Sequence, residues 1–362
     1  MGGTGVEHRG WAMNDGTSLD WVPHPTADGS VTFLSSEFGE HFHSLQGAWD
    51  EALIKFVGPT GLGTWTGQSI RLLDICYGLG YNSAAALAVL WSVAPQCSVQ
   101  WLGLERDPSV AIAAIPSVLA TLDRVQGTTL PARAIHPDQG EPIVLTPEAI
   151  ALTRTVITQL AETGECRLVG FEGKMRWGDA RETFGQRATG DRPLNTPPVD
   201  AMFDAIFLDP FSPPQCPQLW TLDFLTIVAQ RLAPTGYLAT YSCAAAVRSA
   251  LLTAGLAIGA SPPFGRRWPG TVAAYPRNAP DPMLPPLSPQ ELEHLQTRAA
   301  VPYRDRLGTG SRDDILARRR REQETSSLEP TSRWKRRWFG DCRASHRSQP
   351  APQDHSPSPS DQ

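Results

Sequence analysis

A doubly wound α/β fold, built on a mostly parallel sheet of about seven strands, is what this sequence predicts. Three observations carry the prediction. Short apolar runs of β-type residues alternate with helical segments from Ile70 onward. A glycine turn, Tyr77-Gly-Leu-Gly-Tyr-Asn82, follows the first of those strands at once, and three strands each deliver an acid at their carboxyl end: Glu105, Asp179 and Asp209. Parallel neighbours need crossover connections, so the alternation places helices on both faces of the sheet.

Residues 1–20 show no periodicity and are expected to be flexible. Thr26-Ala-Asp-Gly-Ser30 is turn chemistry and Val31 to Leu34 a short β-like run, which suits a substrate-side or lid element. Ser44 to Val57 reads as a helix, with Leu45, Ala48, Trp49, Ala52, Leu53 and Phe56 on one stripe, and Gly58-Pro59 ends it. The core then runs from a strand at Ile70 to Cys76 through an Ala-rich helix at Ser83 to Val93, a strand at Val99 to Glu105 and a helix at Pro108 to Leu122. After an insertion from Asp123 to Gly164, helical over Pro147 to Leu160, Arg167 to Trp177 carries β-type residues. Phe203 to Leu208 is a buried strand, Thr221 to Leu232 a helix and Tyr237 to Ser242 a strand. Ala244 to Ala254 supplies the last helix of the sheet, and Leu256 to Ala260 and Thr271 to Tyr275 the last two strands. Proline-rich text from Tyr275 to Pro289 marks the end of this core, with one further helix at Pro289 to Ala299. Residues 276–343 are thus expected to be a linker and a basic extension, and residues 344–362, full of Ser, Pro, Gln and Asp, to be disordered.

The composition narrows the class. Lys and Arg number 32 against 37 Asp and Glu, a net charge of −5, with 41% hydrophobic and 19% charged residues, which describes a soluble globular chain. No stretch approaches the roughly 18 uninterrupted apolar residues of a membrane span, and Glu7, Asp15 and Asp20 stand where a signal peptide would be apolar. A membrane partner is not expected. The six cysteines are scattered without a C-x-x-C pair, so reduced thiols in a cytoplasm are expected and neither a zinc cluster nor a disulfide framework. His41 and His43 lack further clustered ligands, so no metal is expected. Between Ser311 and Arg347 eleven basic residues face six acidic ones, making this segment a basic appendage on an acidic body. Its arginines at 318–321 and the cluster Arg333, Lys335, Arg336 and Arg337, interleaved with Trp334 and Trp338, suit phosphates and stacked bases, or else form a solvated helix end.

Ligands of doubly wound sheets bind at the carboxyl ends of the strands, where strand order reverses. Gly78 and Gly80 let the backbone turn sharply there, and Glu105, 25 residues beyond Gly80, can accept both hydroxyls of a ribose. A glycine turn followed by an acid serves NAD, FAD and S-adenosylmethionine alike, or no ligand at all. Ser83 stands where a third glycine would favour a pyrophosphate, and Asp179 can accept from an adenine amino group or simply cap a helix. Both features favour S-adenosylmethionine. The loop Asp209-Pro-Phe-Ser-Pro-Pro-Gln-Cys-Pro-Gln-Leu-Trp220 is stiffened by four prolines. In it Asp209 can take a proton from an amine, while Phe211 or Trp220 can face a developing positive charge; an N-capping Asp on a proline-rich loop is the plainer alternative.

With these residues named, the sequence resembles the methyltransferase domain of the MnmC family, which completes 5-methylaminomethyl-2-thiouridine at the wobble position of certain tRNAs. The matching text is Thr26 to Ser30, Phe42-His-Ser44, Glu51-Ala52, Gly78 to Asn82, Trp177 to Ala180, Phe203 to Trp220, Leu238 to Thr240, Val247-Arg248 and Gly265-Arg-Arg267. It spans roughly residues 21–275. The resemblance implies a class I methyltransferase fold with S-adenosylmethionine as cofactor. It places Glu51, Gly78, Gly80, Asn82, Glu105 and Asp179 at the cofactor and Asp209 and Phe211 at the target amine. Taken with the residues themselves, Trp220 is expected at the substrate, and Arg248, Arg266, Arg267 and the basic tail are expected to hold tRNA phosphates. The family commonly has glycine where Pro210 stands, which implies a differently shaped amine pocket. Bifunctional members add a flavin-dependent oxidase domain, and no second G-x-G-x-x-G site follows here, so a separate enzyme is expected to supply the aminomethyl precursor. Two other readings share these residues: a methyltransferase for a small amine or a protein, and a non-catalytic RNA-binding protein of the same fold.

Overall fold

The computed structural model describes residues 21–130, 142–185, 202–265 and 267–340. The expected flexible N-terminus, the expected disordered tail, the middle of the insertion and Arg266 lie outside the described residues. A small antiparallel sheet comes first: β1 (Pro23–Pro25), β2 (Val31–Ser35) and β3 (Glu40–His41). It leads into α1 (Ala48–Ala52), prolonged by a π-helical turn over Leu53–Val57. The expected helix from Ser44 begins only at Ala48, because side chains of the preceding turn cap it there. The Ser30 hydroxyl accepts from the Ala48 amide at 2.9 Å, and Asp28 accepts from Asp50 at 3.0 Å. Thr-Ala-Asp-Gly-Ser is therefore the clasp that aims α1.

The core follows as β4 (Ser69–Ile75), α2 (Tyr81–Val93), β5 (Ser98–Glu105) and α3 (Pro108–Val125). Two short strands, β6 (Thr129–Leu130) and β7 (Ile143–Val144), bracket the undescribed part of the insertion before α4 (Pro147–Thr163). Then come β8 (Glu165–Leu168), β9 (Phe171–Trp177), α5 (Ala180–Gly185), β10 (Phe203–Leu208), α6 (Leu222–Ala229) and β11 (Leu232–Thr240). After them stand α7 (Ala245–Thr253), β12 (Ala257–Pro263) and β13 (Pro269–Ala274).

Eight of these strands form one sheet in the spatial order β12-β13-β11-β10-β4-β5-β9-β8. The five from β11 to β9 are mutually parallel, and β12, β13 and β8 join antiparallel at the edges. One strand more than expected is present because Val169 and Gly170 break the run at 165–177 into a hairpin. The chain leaves β4 toward β5 and β9 and returns on the other side as β10 and β11, so the order reverses between β4 and β10. That crevice is where a ligand is expected.

Helices cover both faces. The Ala-rich α2 is buried from Tyr81 to Trp91, since α1, α4 and the sheet enclose it and only small side chains allow such close approach. By length and composition α3 could cross a membrane, yet Val110, Ala114, Val118 and Leu122 pack one side of it into the core. The sequence placed the end of the core at residue 275, and the described segment beyond it is docked instead. It comprises α8 (Pro289–His294), α9 (Arg312–Thr325) and α10 (Thr331–Phe339). Tyr303 and Ile315 join the apolar layer under α6 and α7, while Trp334 is buried with its ring stacked 4.0 Å from His294. Arg319, expected on a basic surface, donates to the Val301 and Ala299 carbonyls at 2.7 and 2.8 Å and covers the Tyr303 ring. Arg318, Arg320 and Arg321 remain exposed.

Candidate active site

A cavity of about 1080 Å³ opens at the carboxyl ends of β4, β5, β9 and β10. Its floor is the turn after β4. Cys76 holds a left-handed backbone there at φ 67°, the one such non-glycine residue among those described, which costs on the order of 1–2 kcal/mol. Gly78 and Gly80 follow at φ 55° and 86°. Gly78 lines the cavity, whereas Gly80 lies beneath it as the residue preceding α2, where any Cβ would strike the Tyr77 ring.

Glu105, at the end of β5, is held by three backbone donors: Gly78 at 2.9 Å, Arg106 at 2.7 Å and Asp107 at 2.9 Å. A carboxylate offers about four acceptor sites, so roughly one stays open toward the cavity rather than the two a ribose diol would use. Burial pushes its carboxyl up even against those three amides. Asp179 lines the wall and caps α5 by accepting from the Arg181 amide at 2.8 Å. It also grips the Arg181 guanidinium at 2.7 Å, and these bonds outweigh burial and hold it below the usual carboxylate range. The capping and the wall-lining roles thus fall to one residue.

Glu51 reaches the cavity from α1, with its carboxylate accepting from the Ser44 amide at 2.8 Å. Asn82 points from α2 at Asp209 and donates to it at 2.8 Å. Asp209 is pushed well above the ordinary carboxylate range, first by burial and then by the nearby negative charges of Glu51 and Asp74, against the Asn82 bond. Asn82, expected at the cofactor, is buried outside the cavity lining and is placed instead to orient the Asp209 carboxyl.

The loop after Asp209 is held from many sides, and proline is only part of its stiffness. The Tyr241 hydroxyl donates to the Pro210 carbonyl at 2.9 Å. Ser212 donates its amide, at 2.9 Å, and its hydroxyl to Glu40 of β3. Arg312 of α9 donates to the Pro214 carbonyl at 3.0 Å and to Gln215 at 3.1 Å. Phe211 stacks on Phe38 at 4.4 Å and meets Phe42 edge-on at 5.0 Å, so the N-terminal sheet forms the cavity's outer wall. Arg106 ion-pairs with Glu37 and completes that wall on the Glu105 side.

Two expectations need correction. Trp220 is fully buried, and its indole donates to the Phe211 carbonyl at 2.8 Å; it braces the loop and cannot meet a substrate. Arg248 is 2% exposed and bound to Glu291 at 2.7 Å, Thr271 at 2.9 Å and the Gly270 carbonyl at 3.0 Å, so no phosphate reaches it. Arg266 lies outside the described residues, while Arg267 is exposed beside a second, smaller cleft. Sequence reasoning missed Glu40, Arg106 and Arg312, whose partners lie far away along the chain, and Arg181, which bonds the distant Asp305 and Gly310 as well as nearby Asp179. It also missed Asp74, fully buried in β4 with one carboxylate oxygen bound by Ser83 at 2.6 Å and the other without a hydrogen-bond partner.

Burial pushes the Asp74 carboxyl up to about 7, against the Ser83 bond, and the charge of Glu105 adds to the rise. A raised carboxyl favours folding below its unfolded value and loses that contribution as pH climbs through its folded one. The contribution of Asp74 to the stability of the ligand-free protein should therefore fall between pH 4 and 7. Asp74→Asn should flatten this slope by a few kcal/mol, roughly 1.36 for each pH unit, when urea midpoints at the two ends are compared. Equal slopes in both proteins would exclude Asp74 as the source.

Comparisons with known proteins bear on this geometry. Residues 186–276 match a family model described as S-adenosyl-L-methionine-dependent methyltransferase. The crystal structure of MnmC2 from Aquifex aeolicus superposes with a TM-score of 0.64 at 30% identity, covering 84% of each chain. The chain belongs to the MnmC-type methyltransferases. The bifunctional 5-methylaminomethyl-2-thiouridine biosynthesis protein MnmC of Ralstonia nicotianae is 30% identical over 70% of this MnmC-type chain, which spans only 34% of that protein's length. An uncharacterized protein of Methanocaldococcus jannaschii is 25% identical over 83% of this chain and 71% of its own. The cofactor of this MnmC-type enzyme is S-adenosylmethionine. The cavity fits it: its volume stands just above the ~300–1,000 Å³ range of ligand pockets, enough for a donor and an acceptor together, and an acid stands at the ends of β5, β9 and β10.

Proposed function

We propose that the protein N-methylates the aminomethyl group of a tRNA wobble uridine, converting a 5-aminomethyl to a 5-methylaminomethyl base. The observation that carries this reading is Asp209: an acid of raised basicity, oriented by Asn82 and facing a cavity large enough for two ligands. The name of the Ralstonia relative supports the choice of acceptor.

In this reading Glu105 receives a ribose hydroxyl on its remaining acceptor site, Asp179 receives the adenine amino group, and Gly78 leaves room for close approach. Glu51 borders the reacting end, and Asn82 acts from beneath it through Asp209. S-adenosylmethionine supplies an electrophilic sulfonium methyl. Asp209 accepts a proton from the substrate ammonium, leaving the nitrogen lone pair free to form the new N–C bond; with the donor bound, its methyl–sulfur bond would break in the same step and the electron pair would leave on the sulfur of S-adenosylhomocysteine. The braced loop fixes that nitrogen in line. Phe211, already faced by two aromatic rings, lends its ring to the positive charge that develops on nitrogen. The reaction takes place in a cytoplasmic setting.

Incubation with methyl-labelled donor and tRNA from cells lacking the modification should label the wobble base. A protein that binds S-adenosylhomocysteine in calorimetry yet leaves that tRNA unlabelled would overturn the acceptor, and label on a small amine or a protein would replace it. Absence of binding would remove catalysis altogether.

A further inference from the structure

A second cleft, of about 440 Å³, is walled by Gln46, Pro263, Phe264, Gly265 and Arg267. Gln46 and Gly265 line the main cavity as well, so the two open side by side at the end where Glu51 and Asp209 stand. The turn between β12 and β13 is pressed against the 44–46 loop so closely that a Cβ at Gly265 would collide with the Ser44 hydroxyl. Phe264 is half-buried, and the Arg267 guanidinium lies 5.7 Å from the Trp268 ring. Trp268 in turn meets Phe339 at 6.0 Å, at the end of α10, and Phe339 is 37% exposed. Aromatic steps thus lead from the cleft to a helix whose Arg333 and Lys335 are exposed. From Ser261 to Tyr275 the chain holds two arginines and no acid, so nothing in this stretch cancels its charge.

Alternating aromatic faces and cations suit single-stranded nucleic acid, because every base has a face to stack and every phosphate a charge to neutralise. We propose that this track binds the single-stranded RNA flanking the target nucleotide. The neighbouring base enters the cleft and stacks on Phe264, its phosphate meets Arg267, and the strand continues over Trp268 and Phe339. The proposal rests on the tRNA reading above and locates its recognition outside the reaction cavity. A duplex would present edges and no faces to these rings, so the track selects a loop.

The test uses the full chain and two probes: a fluorescent stem-loop RNA with uridine in its loop, and the free nucleoside 5-aminomethyluridine. Phe264→Ala should weaken stem-loop binding about tenfold, within the range that base–aromatic stacking gives, while methylation of the nucleoside and the melting temperature hold. Arg267→Ala, on the surface, should lower the salt slope of stem-loop binding by about one. Unchanged stem-loop affinity and salt slope in both variants would overturn the track. So would a Phe264→Ala loss that strikes nucleoside and stem-loop equally. If the wild type methylates neither 5-aminomethyluridine nor its stem-loop but the two variants still lose RNA affinity, the acceptor assignment fails and the track stands.

Discussion

Asp209→Asn is expected to lower kcat by about two to four orders of magnitude, the range associated with a general base, while donor affinity stays within about twofold. The amide keeps the shape of the carboxylate and can still bond Asn82 after a flip, so the cavity is preserved and only the proton acceptor is lost. The wild-type pH profile supplies an independent check. Burial, with Glu51 and Asp74 close by, raises the Asp209 carboxyl, so its ionised form grows in only as pH rises through that raised value. Rates should climb on that limb, and the limb should vanish in the variant. Equal losses of turnover and of S-adenosylhomocysteine affinity would instead move Asp209 to the donor side.

Arg248→Met should cost about 3–5 kcal/mol of stability, because it strands the buried Glu291 carboxylate. Removing both members, as Arg248→Met with Glu291→Leu, should recover much of that loss, since well-packed apolar residues often replace a buried pair without penalty. Burial pushes Glu291 up, but Ser288 and Arg248 together hold it below its ordinary 4.5. A depressed carboxyl contributes above its unfolded value and loses that contribution as pH falls, so the gap between wild type and Arg248→Met should be widest near neutrality and close in acid. RNA affinity of the folded fraction should not change. A variant of normal stability with weakened RNA binding would return Arg248 to the phosphate role that its basic side chain first suggested.

These two residues also mark how far the sequence could be read. Local signals sufficed for the sheet: period, turn glycines and strand-end acids gave the β4-to-β11 frame, and with it the acids that surround the cavity. Asp209 was legible because a buried strand ends on it. Arg248 was misread because charge was weighed before context; it sits amid Ala244 to Leu252, an apolar run that a solvent-facing arginine rarely inhabits. Trp220 was misread likewise, an aromatic at a loop's end being more often a brace than a contact. Ser212 with Glu40, and Pro214 with Arg312, could not be inferred, since those pairs lie 172 and 98 residues apart and nothing local announces them. The docking of residues 276–340 was hidden for the same reason, behind a proline-rich stretch that reads as a linker.

Arg312 and the Asp305–Gly310 turn have a practical corollary for anyone who trims this protein. Arg181 joins Asp179 to Asp305 and to the Gly310 carbonyl, while Arg312 steadies Pro214 in the loop after Asp209. Cutting the chain at Ser311 to ask whether the basic helices grip RNA would also remove Arg312 and unlatch the loop after Asp209. A slower truncated enzyme would therefore speak of lost architecture before it spoke of lost affinity. Reversing the outward-facing charges at Arg318, Arg320 and Arg321 leaves that loop latched and asks the question cleanly.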